Sequence, residues 1–509
     1  MSNTSVAGKL FRNSASNLLR YLVGFAVAFV LTPYIVRSVG DQLYGLFVLV
    51  YSFVGYAGIL EFGVMQSTVK LISQYARPEE KEKRNEIATV VVLFYAGIGV
   101  IGCILFWTVF ESMLVGLAGD GVSHEMVRSF SHLVGIEVLL TFAANPVYGI
   151  AYGMHQYHYK SLTDILARIL TMVFTYMVIE SGYGLIGIAW VRIVSAVFSL
   201  LLMLVLCRKP FRAISFGLRF ISKRAVREIF SFGSKIFICQ IVTRLNSSLT
   251  PGVITYVLST AMTAYYGVCN VLADRLKEMI GSLAGPFLPV FSEISSNGPN
   301  GDAVAFYVTG TRMMLAITLP VNLSLMFLGP DFLNLWVGPA YQEAGRFVII
   351  ILAAESLLDG LQPLSGRMII GGGDVGVYTK VIAVANVVGI ILTFLFVNMF
   401  GITGAAVSNL TRSGLAGGAV FLLLQKNLGV NLKHLFQECY VRYVIPVAVF
   451  VVTIVYLKNN IELNGFLQFF EIVILSSLAF YIMVWFVGFN HSDRDRLKGA
   501  CKSLIAQRR

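Results

Sequence analysis

Residues 18–65 read LLRYLVGFAVAFVLTPYIVRSVGDQLYGLFVLVYSFVGYAGILEFGVM. Two apolar runs, 18–36 and 46–65, flank a short polar turn that contains Arg37 and Asp41. About 20 apolar residues are needed for a helix to cross the roughly 30 Å hydrocarbon core of a bilayer, so each run reads as a membrane span. The same reading continues at 87–110, 130–151, 162–179, 185–206, 229–253, 264–287 and 304–328. It ends with 347–370, 377–400, 405–424, 440–457 and 466–489, fourteen spans in all. Composition agrees: 57% of the 509 residues are hydrophobic and 13% charged, with mean hydropathy +0.76. A water-soluble domain carries about 25% charged residues, so this chain is expected to be an all-α polytopic membrane protein.

The net charge of +12 would suit a nucleic-acid binder, but its distribution follows the membrane. With the N-terminus in the cytoplasm, 23 of the 39 Lys and Arg residues fall in cytoplasmic segments and 4 outside, the others lying within spans. The positive-inside rule then places both termini in the cytoplasm and accounts for the basic balance without nucleic acid. MSNTSVAGKLFRNS has no signal-peptide pattern, and the first apolar run is long enough to stay as a span. The six cysteines show no CxxC spacing, which argues against a disulfide framework or a zinc site.

The chain echoes itself. GMHQYHYKSL (153–162) and GYGLIGIAWV (182–191) return as GGDVGVYTKVI (372–382) and MFGITGAAVS (399–408). Lys160 and Lys380 lie 220 residues apart, Gly184 and Gly401 lie 217 apart, and Tyr44-Gly45 returns as Tyr266-Gly267. That offset equals six spans, and an even number keeps direction, so the repeat is parallel about an axis along the membrane normal. The expected architecture is a six-helix lobe at 1–206 and a second at 228–425, with two further helices at 426–489 and a cytoplasmic tail at 490–509. The linker, 207–227, mixes seven Lys and Arg residues with Phe211, Phe216 and Phe220, which suits a segment lying on the inner leaflet.

Twelve cations lie within the spans: Arg20, Lys70, Arg168, Arg192, Lys235, Arg244, Arg275, Lys277, Arg312, Arg367, Arg412 and Arg442. A lipid-facing charge at mid-bilayer costs about 2.5–3.5 kcal/mol, so six deep ones would cost about 15–20 kcal/mol. That exceeds the roughly 5–15 kcal/mol stability of a domain. Most must therefore face partners or a wet cavity. Asp164 and Arg168, at i and i+4, are placed to pair. About nine acids accompany the twelve cations, and the surplus implies a positive cavity between the lobes for a phosphate or pyrophosphate. Arg20, Arg168, Arg244, Arg275 and Arg312, well inside their spans, are the expected substrate-binding residues. Glu61, Asp274, Glu355 and Asp359 are the expected sites of proton or sodium coupling, since a buried carboxylate has a raised pKa.

NSASNLLRYLVGFAVAFVLTPYIVRSVGDQLYGLFVLVYSFVGYAGILEFGVMQSTVKLISQYA (13–76) resembles the polysaccharide transporter, or O-antigen flippase-type, family of the multidrug/oligosaccharidyl-lipid/polysaccharide exporter (MOP) superfamily. Asn17, Pro33, Gly40, Tyr44-Gly45 and Leu60-Glu61-Phe62-Gly63 carry the likeness, with FSFGSKIF (230–237), AYYGV (264–268) and PVFSE (289–293) further on. The resemblance implies a MATE-like fold and a flippase for polyprenyl-pyrophosphate-linked oligosaccharide in the bacterial inner membrane. Its lobes would rock around a cationic cavity, with the lipid tail left in the bilayer. It also implies partnership with glycosyltransferases or a polysaccharide polymerase, and no cofactor.

Other readings use other residues. A multidrug exporter of the same superfamily would share the lobes but is expected to have a more acidic or neutral cavity. A lipid II flippase would share the basic cavity. A membrane glycosyltransferase could use Asp493-Arg494-Asp495 as a DxD motif, but the tail has no room for a nucleotide-binding domain. The glycines ahead of Asp374 lack a preceding strand, and His155 and His158 lack a third metal ligand nearby.

Overall fold

The computed structural model describes residues 3–495, apart from positions 76, 119–121, 155, 213, 298, 299, 373, 374 and 492. His155, Asp374 and the basic residues from Arg496 onward therefore lie outside the described residues, as do the side chains of Lys9, Arg12 and Lys235. The described secondary structure is helical throughout. Twelve stretches among the described residues are long and apolar enough to cross a membrane. They coincide with twelve of the fourteen expected spans. The seventh and eighth fall on two long helices that are more polar, Lys223–Val257 with Arg244 and Asn246, and Thr260–Ala284 with Asp274, Arg275, Lys277 and Glu278.

The chain divides into two compact units, 1–268 with 393–402, and 269–392 with 403–509. In the first, α1 (Asn3–Val39), α2 (Asp41–Ala57), α3 (Val64–Gln74), α4 (Lys81–Leu105) and α5 (Glu111–Ala118) lead into α6 (His124–Gly153). Next come α7 (Tyr157–Glu180), α8 (Gly184–Leu206), the single turn α9 (Arg208–Phe211), α10 (Lys223–Val257) and the start of α11 (Thr260–Ala284). α6 is the centre, packed against α4 and α8, while α7 lies on α8 and α1. The division at Val268 is downstream of the repeat boundary expected at 207–227, because α10 packs along α2 and α3.

Glycine makes that packing close. A Cβ on Gly45 would sit 1.8 Å from the Thr260 carbonyl oxygen, and one on Gly55 would sit 2.1 Å from Ser248 Oγ. At the other end, Gly63 and Gly233 meet so tightly that a Cβ on either would lie 2.6 Å from a carbonyl oxygen opposite. Gly63 also takes φ +68°, directly after Phe62 at φ +49°. Two successive left-handed residues stop the second span and turn the chain into α3, a conformation that glycine adopts without a Cβ penalty.

The second unit carries the remainder of α11, α12 (Phe287–Asn297), α13 (Asn300–Trp336), α14 (Pro339–Leu361) and α15 (Ser365–Gly371). It continues with α16 (Val375–Phe400), α17 (Ile402–Leu428), the turn α18 (Leu432–Leu435), α19 (Arg442–Asn460) and α20 (Phe466–Met483). α13 runs along α14, and α19 pairs with α20. α14 halts at Leu361 ahead of Pro363, which has no N–H for a helical hydrogen bond, and restarts as α15.

Arg312 on α13, 3% exposed, ties the last two spans to this unit. Its Nη1 donates to Glu438 at 3.1 Å and its Nη2 to Asp493, itself 1% exposed, at 3.1 Å. The Tyr443 hydroxyl donates to the Arg312 carbonyl at 2.7 Å, and Arg442 donates to Glu438 at 3.1 Å. A single guanidinium thus fastens the start of α19 and the segment after α20.

Two substitutions test this packing. Arg312→Ala leaves Asp493 buried without its cation and should lower stability by about 3–5 kcal/mol, read as a fall in detergent-solubilised melting temperature. Gly45→Ala should cost about 1–3 kcal/mol through overpacking against Thr260. Gly97→Ala, with nothing within 4 Å of its Cβ, should melt no lower than the native chain.

Candidate functional site

Each unit contains a cavity built on a glutamate–arginine pair, part-buried in the first and with a fully buried glutamate in the second. In the first, Glu137 of α6 faces Arg192 of α8, with Arg192 Nη2 2.9 Å from Glu137 Oε1 and its Nε donating at 3.0 Å. The Tyr51 ring lies 4.1 Å from the guanidinium, and its hydroxyl donates to Glu137 Oε2 at 2.6 Å. The pair borders a cavity of about 230 Å³ that Thr141, Tyr148, Thr171 and Ser195 also line. Charge there is balanced, and both ends of the pair are hydrogen-bonded, which a buried ion pair requires in order not to destabilise the fold.

In the second unit, Glu355 of α14, 0% exposed, accepts from Arg412 of α17 at 2.7 Å and from Ser413 at 3.3 Å. Lys277 of α11 adds a second ion pair at 2.9 Å. Above this group opens a cavity of about 520 Å³, lined by Lys277, Arg412, Asp359, Gln362, Arg367 and Tyr378 among others. Arg367 is held differently from the other cations. It donates to the carbonyls of Pro363 at 2.8 Å and Gly281 at 3.2 Å, and no carboxylate pairs with it among the described residues. The Pro363 break contributes to this arrangement, since it leaves the Pro363 carbonyl free and sets Arg367 on the short α15 beyond, where α11 supplies the Gly281 carbonyl. The Gln362 Oε1 acceptor is buried in the wall without a hydrogen-bond partner. The cavity therefore offers three cations against two carboxylates, plus an unused acceptor.

The two pairs match through the duplication. Glu137 and Glu355 lie 218 residues apart, Arg192 and Arg412 lie 220 apart, and the partners are separated by 55 and 57 residues. All four were visible in the sequence as intramembrane charges. Their common offset is the signal that could have paired them.

The residues expected to bind substrate disperse. Arg20 donates to Asp164 at 3.3 Å, and Lys160 also pairs with Asp164. Asp164 thus joins α1 to α7 in addition to its place one turn from Arg168. The Arg168 guanidinium lies against Gly24 of α1, where a Cβ would be 2.0 Å from its Nη1. Arg20 and Lys160 accordingly share one carboxylate. Arg244 is exposed on α10 beside Gly58. Arg275 pairs with Glu278 at 2.5 Å, and Arg312 is the buried tie described above. The larger cavity is lined instead by Lys277, Arg367 and Arg412.

Of the four acids, Asp359 lines that cavity, and Glu355 is buried behind it as the partner of Arg412 and Lys277. Glu61 accepts from the Tyr95 hydroxyl at 2.5 Å, and Asp274 accepts from Asn270 at 2.8 Å. Among the described residues no group of three or more His, Cys, Asp or Glu is placed to hold a metal ion.

Comparison with known proteins places this geometry. The chain is 20% identical over 410 residues to a putative O-antigen transporter of Shigella flexneri, covering 78% of this chain and 94% of that one. A multidrug resistance MATE family transporter of the MOP superfamily, in its inward-facing conformation, superposes with TM-score 0.69 at 16% identity, covering 82% of this chain and 98% of that one. Lipid II flippase MurJ, in an inward closed conformation, superposes with TM-score 0.69 at 16% identity, covering 94% and 98%. These likenesses give the fold as that of the MOP superfamily. Residues 10–295, more than half of the chain, match the family described as polysaccharide biosynthesis protein, and to that family of multi-pass membrane transport proteins this chain belongs.

Proposed function

We propose that the chain is a flippase for polyprenyl-pyrophosphate-linked oligosaccharide, working in the bacterial cytoplasmic membrane with both termini in the cytoplasm. The cavity around Arg367 carries this reading. A pyrophosphate supplies oxygens to a planar guanidinium in bidentate geometry, and such charge-assisted hydrogen bonds are about twice as strong as neutral ones. Arg367 is oriented by two carbonyls and has a guanidinium uncompensated by carboxylate, while Arg412 and Lys277 stand on the same wall. A cavity of about 520 Å³ accommodates a charged headgroup. In the first unit, Arg20 and Lys160 around Asp164 supply a second positive group.

Alternating access of the two lobes moves the headgroup, with the lipid tail left in the bilayer. Glu355 and Asp359, one helical turn apart, are the coupling residues for a proton or sodium ion, with Glu61 and Asp274 as a further pair. Cargo and Glu355 compete for Arg412, so a proton or sodium ion bound at Glu355 releases that guanidinium to the cargo. Glycosyltransferases build the cargo on one side, and a polymerase or ligase consumes it on the other. The positive cavity disfavours a cationic drug as cargo.

Reconstitution into vesicles with a fluorescent polyprenyl-pyrophosphate oligosaccharide tests the reading. The native chain should accelerate transbilayer movement, and Arg367→Ala should lower the affinity of that step about 10- to 100-fold, equivalent to roughly 1.5–3 kcal/mol for a charged hydrogen bond. Drug export without lipid movement would contradict it.

A further inference from the structure

We propose that the cavity of the first unit, bordered by Glu137 and Arg192, is a binding site for one neutral sugar unit of the cargo. The proposal rests on the reading of the cargo as a lipid-linked oligosaccharide and assigns a second part of that molecule to a second place. The two cavities occupy matching positions in the duplicated sequence but have different chemistry. Thr141 and Ala144 of the first stand where Asp359 and Gln362 stand in the second, at an offset of 218, while Ala196 and Ala416 correspond at 220.

In the first cavity the only cation and the only carboxylate on the wall are bound to each other. Tyr51 completes that pair from outside the lining, stacking on the arginine and donating to the glutamate. Lys160 lies 4.3 Å from the Tyr148 ring and is itself paired with Asp164. No net charge is left on the wall to attract a phosphate.

Apart from Ala144 and Ala196, the remainder of the wall consists of hydroxyls: Thr141, Thr171, Ser195 and Ser199, with the phenol of Tyr148. Thr171 donates to the Ala167 carbonyl at 2.8 Å and accepts from the Ser195 hydroxyl at 2.9 Å, so its position is fixed by two bonds. A hydroxyl both donates and accepts, and so does every hydroxyl of a sugar, which makes such a wall complementary to a saccharide edge. A hydroxyl-lined space within a membrane domain must also be filled by something able to hydrogen-bond. The volume of about 230 Å³ equals roughly seven or eight waters at about 30 Å³ each, which suits one sugar ring and not an extended chain.

The measurement uses the full chain in lipid nanodiscs and two probes. One is the lipid-free oligosaccharide cut by mild acid from the host's polyprenyl-linked pool, followed by saturation-transfer NMR; the other is inorganic pyrophosphate, followed by calorimetry. The oligosaccharide should bind the native chain. Thr141→Val, which keeps the shape, and Ser195→Leu, which fills the space, should each weaken it at least 10-fold while pyrophosphate affinity stays unchanged. Arg367→Ala should do the reverse. Oligosaccharide binding equal in the native chain and both cavity variants, or no oligosaccharide binding by a chain that still binds pyrophosphate, overturns the sugar site alone. Loss of pyrophosphate binding in the native chain, with saccharide binding retained, contradicts the cargo reading instead.

Discussion

A charge carried into hydrocarbon has to bring its own solvent. The cost of a lone guanidinium at mid-bilayer, about 2.5–3.5 kcal/mol even on insertion scales, makes every such residue either paired or exposed to a wet cavity. Each unit of this protein meets that constraint with a glutamate–arginine pair joining two spans, Glu137 to Arg192 and Glu355 to Arg412. Each pair crosses more than fifty residues of chain, so it fixes the register of α6 against α8 and of α14 against α17. The cavities lie beside these pairs, with Glu137 and Arg192 lining the first and Arg412 the second. Structure and site therefore share one cause.

The constraint also separates structural cations from cations available to a ligand. Arg312 has two carboxylates and almost no exposure, and an anion would have to break both contacts to reach it. Arg367 has carbonyl partners, which orient it without cancelling its charge. The helix break at Pro363 explains part of the difference, since an unbroken α14 would have consumed the Pro363 carbonyl in its own hydrogen bonds, while the second carbonyl, Gly281, comes from α11. At Phe62 and Gly63 a second break, made by left-handed backbone, ends the second span beside the close approach of α10. Breaks in spans thus occur where backbone atoms are put to use.

Much of this was legible in the sequence. Span positions followed from hydropathy, because a bilayer imposes a length and an apolarity that any reader can count. The duplication followed from echoes around Lys160 and Lys380, and the need for buried ion pairs followed from twelve intramembrane cations. Which partner each cation takes was not legible. Asp164 and Arg168 share a helical face, yet the carboxylate is held from α1 by Arg20 and from the preceding turn by Lys160. Arg312 looked like a cavity residue because the acids that hold it, Glu438 and Asp493, are 126 and 181 residues away in sequence. The close packing of α10 on α2 and α3 depends on Gly55 and Gly63, and a glycine in a span carries no mark of what approaches it.

The central claim is that an anionic headgroup is taken by the cavity of Arg367, Arg412 and Lys277. Native mass spectrometry of the purified chain, incubated with polyprenyl pyrophosphate, measures that directly. A bound lipid on the native chain that is absent from Arg367→Glu, with unchanged unfolding temperature, is the predicted result. Equal retention by Arg367→Glu would contradict the claim.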